Sequence, residues 1–137
     1  MPDPADLAEH FARKAAAVGT VVTEAADREI AGRGAGHQYG DRVADGLFAV
    51  AETGSVAVAW PREERGAALL ADRLWLLVPA GEIVATLDEA LARIEALVRA
   101  GRPYVTLMTG PSRTADIERA LTVGVHGPGE LHVVLVG

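Results

Sequence analysis

Cysteine is missing from all 137 residues. Disulfides, thiolate nucleophiles, zinc–thiolate sites and iron–sulfur clusters held by this chain are therefore excluded. Lysine occurs once, at Lys14, and the formal net charge is −6. The arginines are scattered, so the concentrated positive charge that a phosphate backbone needs is lacking and no nucleic-acid partner is expected. No apolar run approaches the ~20 residues of a membrane span. The polar start, MPDPADLAEH, has no signal-peptide pattern. Repeats and low-complexity stretches are absent too. Together these absences predict a soluble cytoplasmic protein without membrane association.

What is present suits a globular core, since 50% of the residues are apolar. The length fits one domain, which buries roughly 68–70% of its unfolded surface at this size. Asp3-Pro4 predicts a capped helix start, and Leu7, Phe11, Ala15 and Val18 recur at helical spacing up to Gly19. Residues 20–23 suit a short strand, 25–31 a helical turn or two, and the glycine-rich stretch 32–40 a loop. From Leu47 to Trp60, Phe48, Val50, Val56, Val58 and Trp60 share one parity, and alanines hold the other. A strand apolar on both faces belongs inside a covered sheet. Further strands are predicted at 74–78, 104–108 and 131–136, with a short edge at 83–84. Residues 61–66 read as an exposed turn. Thr86 and Glu89 form a capping box for a helix whose stripe is Leu87, Leu91, Ile94, Leu97 and Val98. A last short helix is expected over 116–123. Strands alternating with helices predict an α/β fold: a single three-layer domain with a parallel-rich sheet.

Two stretches carry candidate chemistry. The run Thr109-Gly110-Pro111-Ser112-Arg113-Thr114 follows a strand and precedes the expected helix. Ligands of open α/β sheets sit beyond the carboxyl ends of strands. Gly110 permits close approach, Ser112 and Thr114 offer hydroxyls, Arg113 a bidentate clamp, and a helix start offers free N–H groups. The alternative is plain capping by Ser112 or Thr114, with Arg113 paired to Asp116 or Glu118. The second stretch is Ala51-Glu52-Thr53-Gly54. Glu52 interrupts an apolar run, where a carboxylate is either paired or functional; the other reading is an exposed hairpin turn. His126 lies in a loop suited to a ligand contact or proton transfer. His132, within a strand, suits half-buried packing or a hydrogen bond. Asp41 and Asp45 read as solvated acids or turn caps. No metal site is expected, because two histidines six residues apart lack a third ligand.

The ordered pair AETGSV at 51–56 and GPSRTADIERALTVGVHGPGELHVVLV at 110–136 resembles the signature of the LUD domain family, also known as the lactate utilisation protein C (LutC) family. Residues 74–104 resemble the family's middle. The likeness covers about residues 45–137. It implies one LUD domain over 1–137, with a shortened or divergent part at 1–45 and the signature-bearing part at 46–137. At 32–45 a glycine-rich bridge stands where the family has a further β/α unit. The resemblance implies a fold like the NagB/RpiA/CoA-transferase group. It also implies a bacterial role in oxidising L-lactate to pyruvate beside iron–sulfur partner subunits. Clusters would sit on those partners only, with no cofactor on this chain. Catalytic candidates are Glu52 and His126. Candidates for holding a small anionic ligand are Thr53, Gly54, Gly110, Ser112, Arg113 and Thr114. Two alternatives stay open: a transferase or cyclo-ligase-like enzyme using Glu52, and a non-catalytic regulatory or scaffold protein. A homo-oligomer is also left open.

Overall fold

The structure is a computed structural model that describes residues 3–60, 67–101, 105–111, 114–117, 121–123 and 127–137. Helix α1 (Pro4–Ala17) starts as the sequence predicts. The Asp3 side chain accepts a hydrogen bond from the Ala5 amide at 2.8 Å, and Pro4 needs no partner at the first position. Phe11 and Ala15 are its fully buried residues. Gly19, at φ 91°, then turns the chain into β1 (Val21–Ala25).

Helix α2 (Arg28–Gly34) is capped by Asp27 and claims the start of the stretch expected to be loop. Strand β2 (Asp41–Asp45) follows. Residues 32–45 thus hold the end of a helix and a whole strand, closing a β1–α2–β2 unit where a plain glycine-rich bridge was expected.

The remaining strands are β3 (Phe48–Val50), β4 (Ser55–Ala59), β5 (Arg73–Pro79), β6 (Ile83–Val84), β7 (Val105–Met108), β8 (Thr114–Ile117), β9 (Leu121–Val123) and β10 (Glu130–Val136). They form two sheets. One has the order β1-β10-β5-β2, and every pairing in it is parallel. The other runs β6-β3-β4-β7-β8-β9; only β3–β6 is parallel there. The fold is α/β with a parallel-rich sheet, as expected.

One face of the parallel sheet, with Leu74, Leu76, Val78, Leu131, Val133 and Leu135, packs with Ala49, Ala51, Val56, Val58 and Trp60 of the mixed sheet. Phe11 and Ala15 of α1 complete that core. Phe48, Val50, Ala57 and Val105 point the other way, onto Ala90 and Ile94 of α3 (Leu87–Arg99). Within each strand the two faces serve two separate cores, which is why both are apolar. The expected single parity across 47–60 does not hold, because antiparallel pairing of Phe48 with Ala57 and Ala49 with Val56 puts Phe48 and Val50 in one core and Val56, Val58 and Trp60 in the other. Above the parallel sheet, Ala31 of α2 covers Leu77 and Val134. The α3 start is capped by Thr86, which accepts from the Glu89 amide at 3.2 Å. Its stripe differs in one residue: Ala90 is buried and Leu91 is exposed.

The helix expected over 116–123 is not formed. Residues 114–117 and 121–123 are antiparallel strands added to β7. The competition has a physical basis. A helix of two turns is marginal, the segment holds β-branched Thr114, Ile117, Thr122 and Val123, and the open edge of β7 offers backbone partners. Thr114 therefore opens a strand and caps no helix.

Candidate functional site

The AETG stretch forms the turn of the β3–β4 hairpin. Gly54 donates to the Val50 carbonyl at 2.9 Å, while Ala51 and Glu52 donate to the carbonyls of Val84 and Ala85 at 2.9 and 3.1 Å. The turn is thus tied to the end of β6 as well as to its own hairpin. Glu52 is exposed at its tip, so the hairpin-turn alternative is the one the chain adopts.

Antiparallel pairing of Val56 with Met108 brings the start of β4 beside the end of β7. There the Ser55 hydroxyl lies 2.7 Å from the Thr53 hydroxyl and 2.6 Å from that of Thr109. Ser55 is buried, and Thr53 and Thr109 are partly exposed. A chain of three hydroxyls therefore runs beneath the surface from one signature segment to the other. Each member can donate and accept, so every link is satisfied without a charge.

Both segments also lean on the end of α1. A Cβ at Gly54 would fall under 3.0 Å from the Ala15 backbone, and one at Gly110 equally close to the Val18 carbonyl oxygen. Both glycines have positive φ, 70° and 75°. The structure thus unites Thr53, Gly54 and Gly110 beside the carboxyl end of α1. Thr114 begins β8, and Ser112, Arg113 and His126 lie outside the described residues, as does the expected turn at 61–66. With β7 in the mixed sheet and a strand following, the helix N-terminus expected to hold an anion here is absent. Sequence reasoning missed Ser55 and Thr109. The available signal was that each is a hydroxyl residue directly flanking a signature glycine.

A second polar network crosses the parallel sheet at its amino end. Arg73 grips Asp41 through two bonds, 2.7 and 3.0 Å, and the Trp75 indole N–H donates to the same carboxylate at 3.2 Å. The Asp41 side chain is only 1% exposed, which corrects its reading as a solvated acid. Parallel register sets Arg73 beside both Asp41 and Glu130. His132 stacks on Trp75 with centroids 4.1 Å apart and has Nε2 3.1 Å from Glu130 Oε1, the half-buried role expected for it. Among the described residues no three His, Asp or Glu side chains converge to hold a metal.

The Arg73 hydrogen bonds hold the Asp41 carboxyl below its ordinary value of 3.8, aided by the Gln38 amide and Trp75 and opposed by burial. A depressed folded-state value contributes stability that is complete above the ordinary value and lost as pH falls through the folded one. Urea midpoints measured downward from about pH 5 should therefore fall, and Asp41→Asn should flatten that fall. An unchanged slope in the variant would remove Asp41 as its source.

Comparison with known proteins follows the same segments. The model of the LUD domain matches residues 44–136, which contain both signature stretches. Lactate utilization protein C of Deinococcus radiodurans is 37% identical over 91 residues, covering 65% of this chain and 42% of that protein. Lactate utilization protein C of an Exiguobacterium species is 35% identical over 114 residues, covering 81% and 48%. The chain spans less than half the length of these two relatives. The crystal structure of a DUF162 family protein from Deinococcus radiodurans matches with a TM-score of 0.72 and 20% identity, over 100% of both chains. At that identity the likeness concerns the fold.

Proposed function

The chain belongs to the LUD domain family, and from that membership we propose that it serves a bacterial system oxidising L-lactate to pyruvate, as a subunit or accessory of iron–sulfur partner proteins. The observation carrying this reading is the meeting of the two signature segments through Ser55 and Thr109 on the end of α1. Segments ~55 residues apart in sequence build one surface, with Glu52 standing out from it. The names of the relatives support lactate as the pathway. The absence of cysteine supports electron carriers that sit on other chains.

In this reading Glu52 and Thr53 meet a ligand or a partner's polar group, beside Gly54 and Gly110. Ser112, Arg113, Thr114 and His126 remain candidates for the same role from the sequence. An exposed carboxylate suits recognition better than nucleophilic attack, which calls for a desolvated group. The alternative transferase role makes a distinct demand: a covalent adduct on Glu52 with an activated acid.

The test is genetic and biochemical together. Deletion should abolish growth on lactate, and the tagged chain should recover cluster-bearing proteins. Glu52→Ala should leave stability within about 0.5 kcal/mol, since the side chain is exposed, yet fail to restore growth. Intact lactate growth after deletion, with no cluster-bearing protein recovered, would defeat the proposal.

A further inference from the structure

Strand β2 forms one edge of the parallel sheet. Its register against β5 is continuous from Asp41 to Asp45, without bulge or proline. That pairing fixes which backbone groups are in use. Gly40 accepts from the Arg73 amide, and Gly46 donates to the Leu77 carbonyl. By the two-residue period of a strand, the backbone groups of Arg42 and Ala44 also face β5, while those of Val43 face outward. The Asp41 amide is taken by the Gln38 carbonyl at 3.1 Å, but the Val43 N–H and C=O have no outward partner among the described residues. An edge left open in this way is a template for another strand.

Arg42 and Ala44 align with Leu74 and Leu76, whose side chains belong to the core between the sheets. A slot of about 270 Å³ opens on this side of the edge, walled by Ala44, Trp60, Ala68 and Leu74 and bordered by Arg42. Trp60 is 4% exposed, and its indole N–H has no acceptor. A buried donor left unpaired carries its full desolvation cost. Arg42 is exposed and enters no ion pair or hydrogen bond through its side chain among the described residues. The acids on the same strand are engaged, Asp41 by Arg73 and Asp45 by Arg28. The unanswered charge on β2 is therefore positive, although the whole chain carries −6.

We propose that β2 accepts an extended segment of a partner protein as a further strand, with a carboxylate side chain two residues from an apolar one. Residues two apart on a strand share a face, so the carboxylate meets Arg42 while the apolar side chain enters the slot beside Ala44. The segment's backbone pairs with Val43, and one of its oxygens accepts from Trp60. Strand addition of this kind takes affinity from main-chain hydrogen bonds and specificity from pockets for alternate side chains. A second copy of β2 fits poorly, because its Asp41 and Asp45 are both paired and leave no carboxylate for Arg42. A free small anion would meet Arg42 and leave the Val43 edge open. Strand addition here is independent of lactate chemistry and shares no residue with the signature segments.

The experiment titrates the full chain by amide NMR with three probes. They are the end-blocked peptide Thr-Thr-Glu-Thr-Val-Thr-Thr, the same peptide with lysine for glutamate, and free glutamate. The glutamate peptide should give saturable shifts at Val43, Ala44 and the Trp60 indole, and should slow exchange of the Val43 amide by about tenfold or more. The lysine peptide should bind at least about tenfold more weakly. Arg42→Ala should weaken the glutamate peptide by about tenfold and, being an exposed change, should keep the melting temperature. Trp60→Phe, which keeps the apolar wall and deletes the donor, should weaken it by about fivefold. No saturable shift, equal binding of the two peptides, an unchanged Kd in Arg42→Ala, or the same shifts and Kd with free glutamate would each overturn the proposal. So would sedimentation showing a dimer whose formation protects the Val43 amide, which would assign the edge to a second copy.

Discussion

Replacing Gly54 by alanine is expected to lower stability by about 3–5 kcal/mol, enough to shift the melting temperature by about 10 °C or more. Two costs combine. A side chain at φ 70° occupies the left-handed region, which costs roughly 1–3 kcal/mol outside glycine. The new methyl also strikes the backbone nitrogen and Cα of Ala15. Backbone inside a helix cannot swing aside as a flexible side chain would, so α1 must shift as a body or the turn must open. Alanine at Gly81, where a Cβ meets nothing within 4 Å, is the matched control and should change stability by less than about 1 kcal/mol. Thermal or urea melts of both variants check the expectation. Similar losses in the two would mean that close approach to α1 does not govern the turn.

Phe11→Ala should cost about 3–5 kcal/mol. The ring is 0% exposed and belongs to the core shared by α1, the parallel sheet and the mixed sheet. Its removal leaves a cavity between elements that belong to three different layers, so no single one can move in to fill it. Phe11→Leu, which keeps most of the volume, should cost far less, about 1 kcal/mol. Urea unfolding with an unchanged m-value would locate the loss in the native core. Equal losses for the two variants would point to a requirement other than filled volume.

Local patterns in the sequence were read well because local physics decides them. The Asp3 and Thr86 caps depend on residues two or three positions away. The alternation within each strand, Phe48 and Val50 in β3 and Val56 and Val58 in β4, depends on the two-residue period of a strand, whereas the turn between them sends the two pairs to different cores, which parity does not show. Features set by long-range register were not legible. Ser55 meets Thr109 only because β4 and β7 pair antiparallel with Val56 opposite Met108. Asp41 has the composition of a turn acid, and only parallel pairing with β5 brings Arg73 to it. Segment 114–123 shows the limit of periodicity. Its apolar residues satisfy helix and strand alike, and the free edge of β7 decides the outcome. The site was legible as two motifs, and their meeting on the end of α1 was not.

The parallel sheet has a consequence for synthesis. Strand β1 pairs with β10, whose residues lie roughly 110 positions later: Val21 aligns with His132. A ribosome releases β1 long before it makes that partner. Until β10 is made, β1 must wait with Val22 lacking its strand partner, and the closing contact is also among the longest loops the chain has to form. Such wiring favours slow folding. It leaves the unfinished chain dependent on whatever shields apolar surface in the cell, and strand β10, Glu130–Val136, acts as the clasp that ends this exposure.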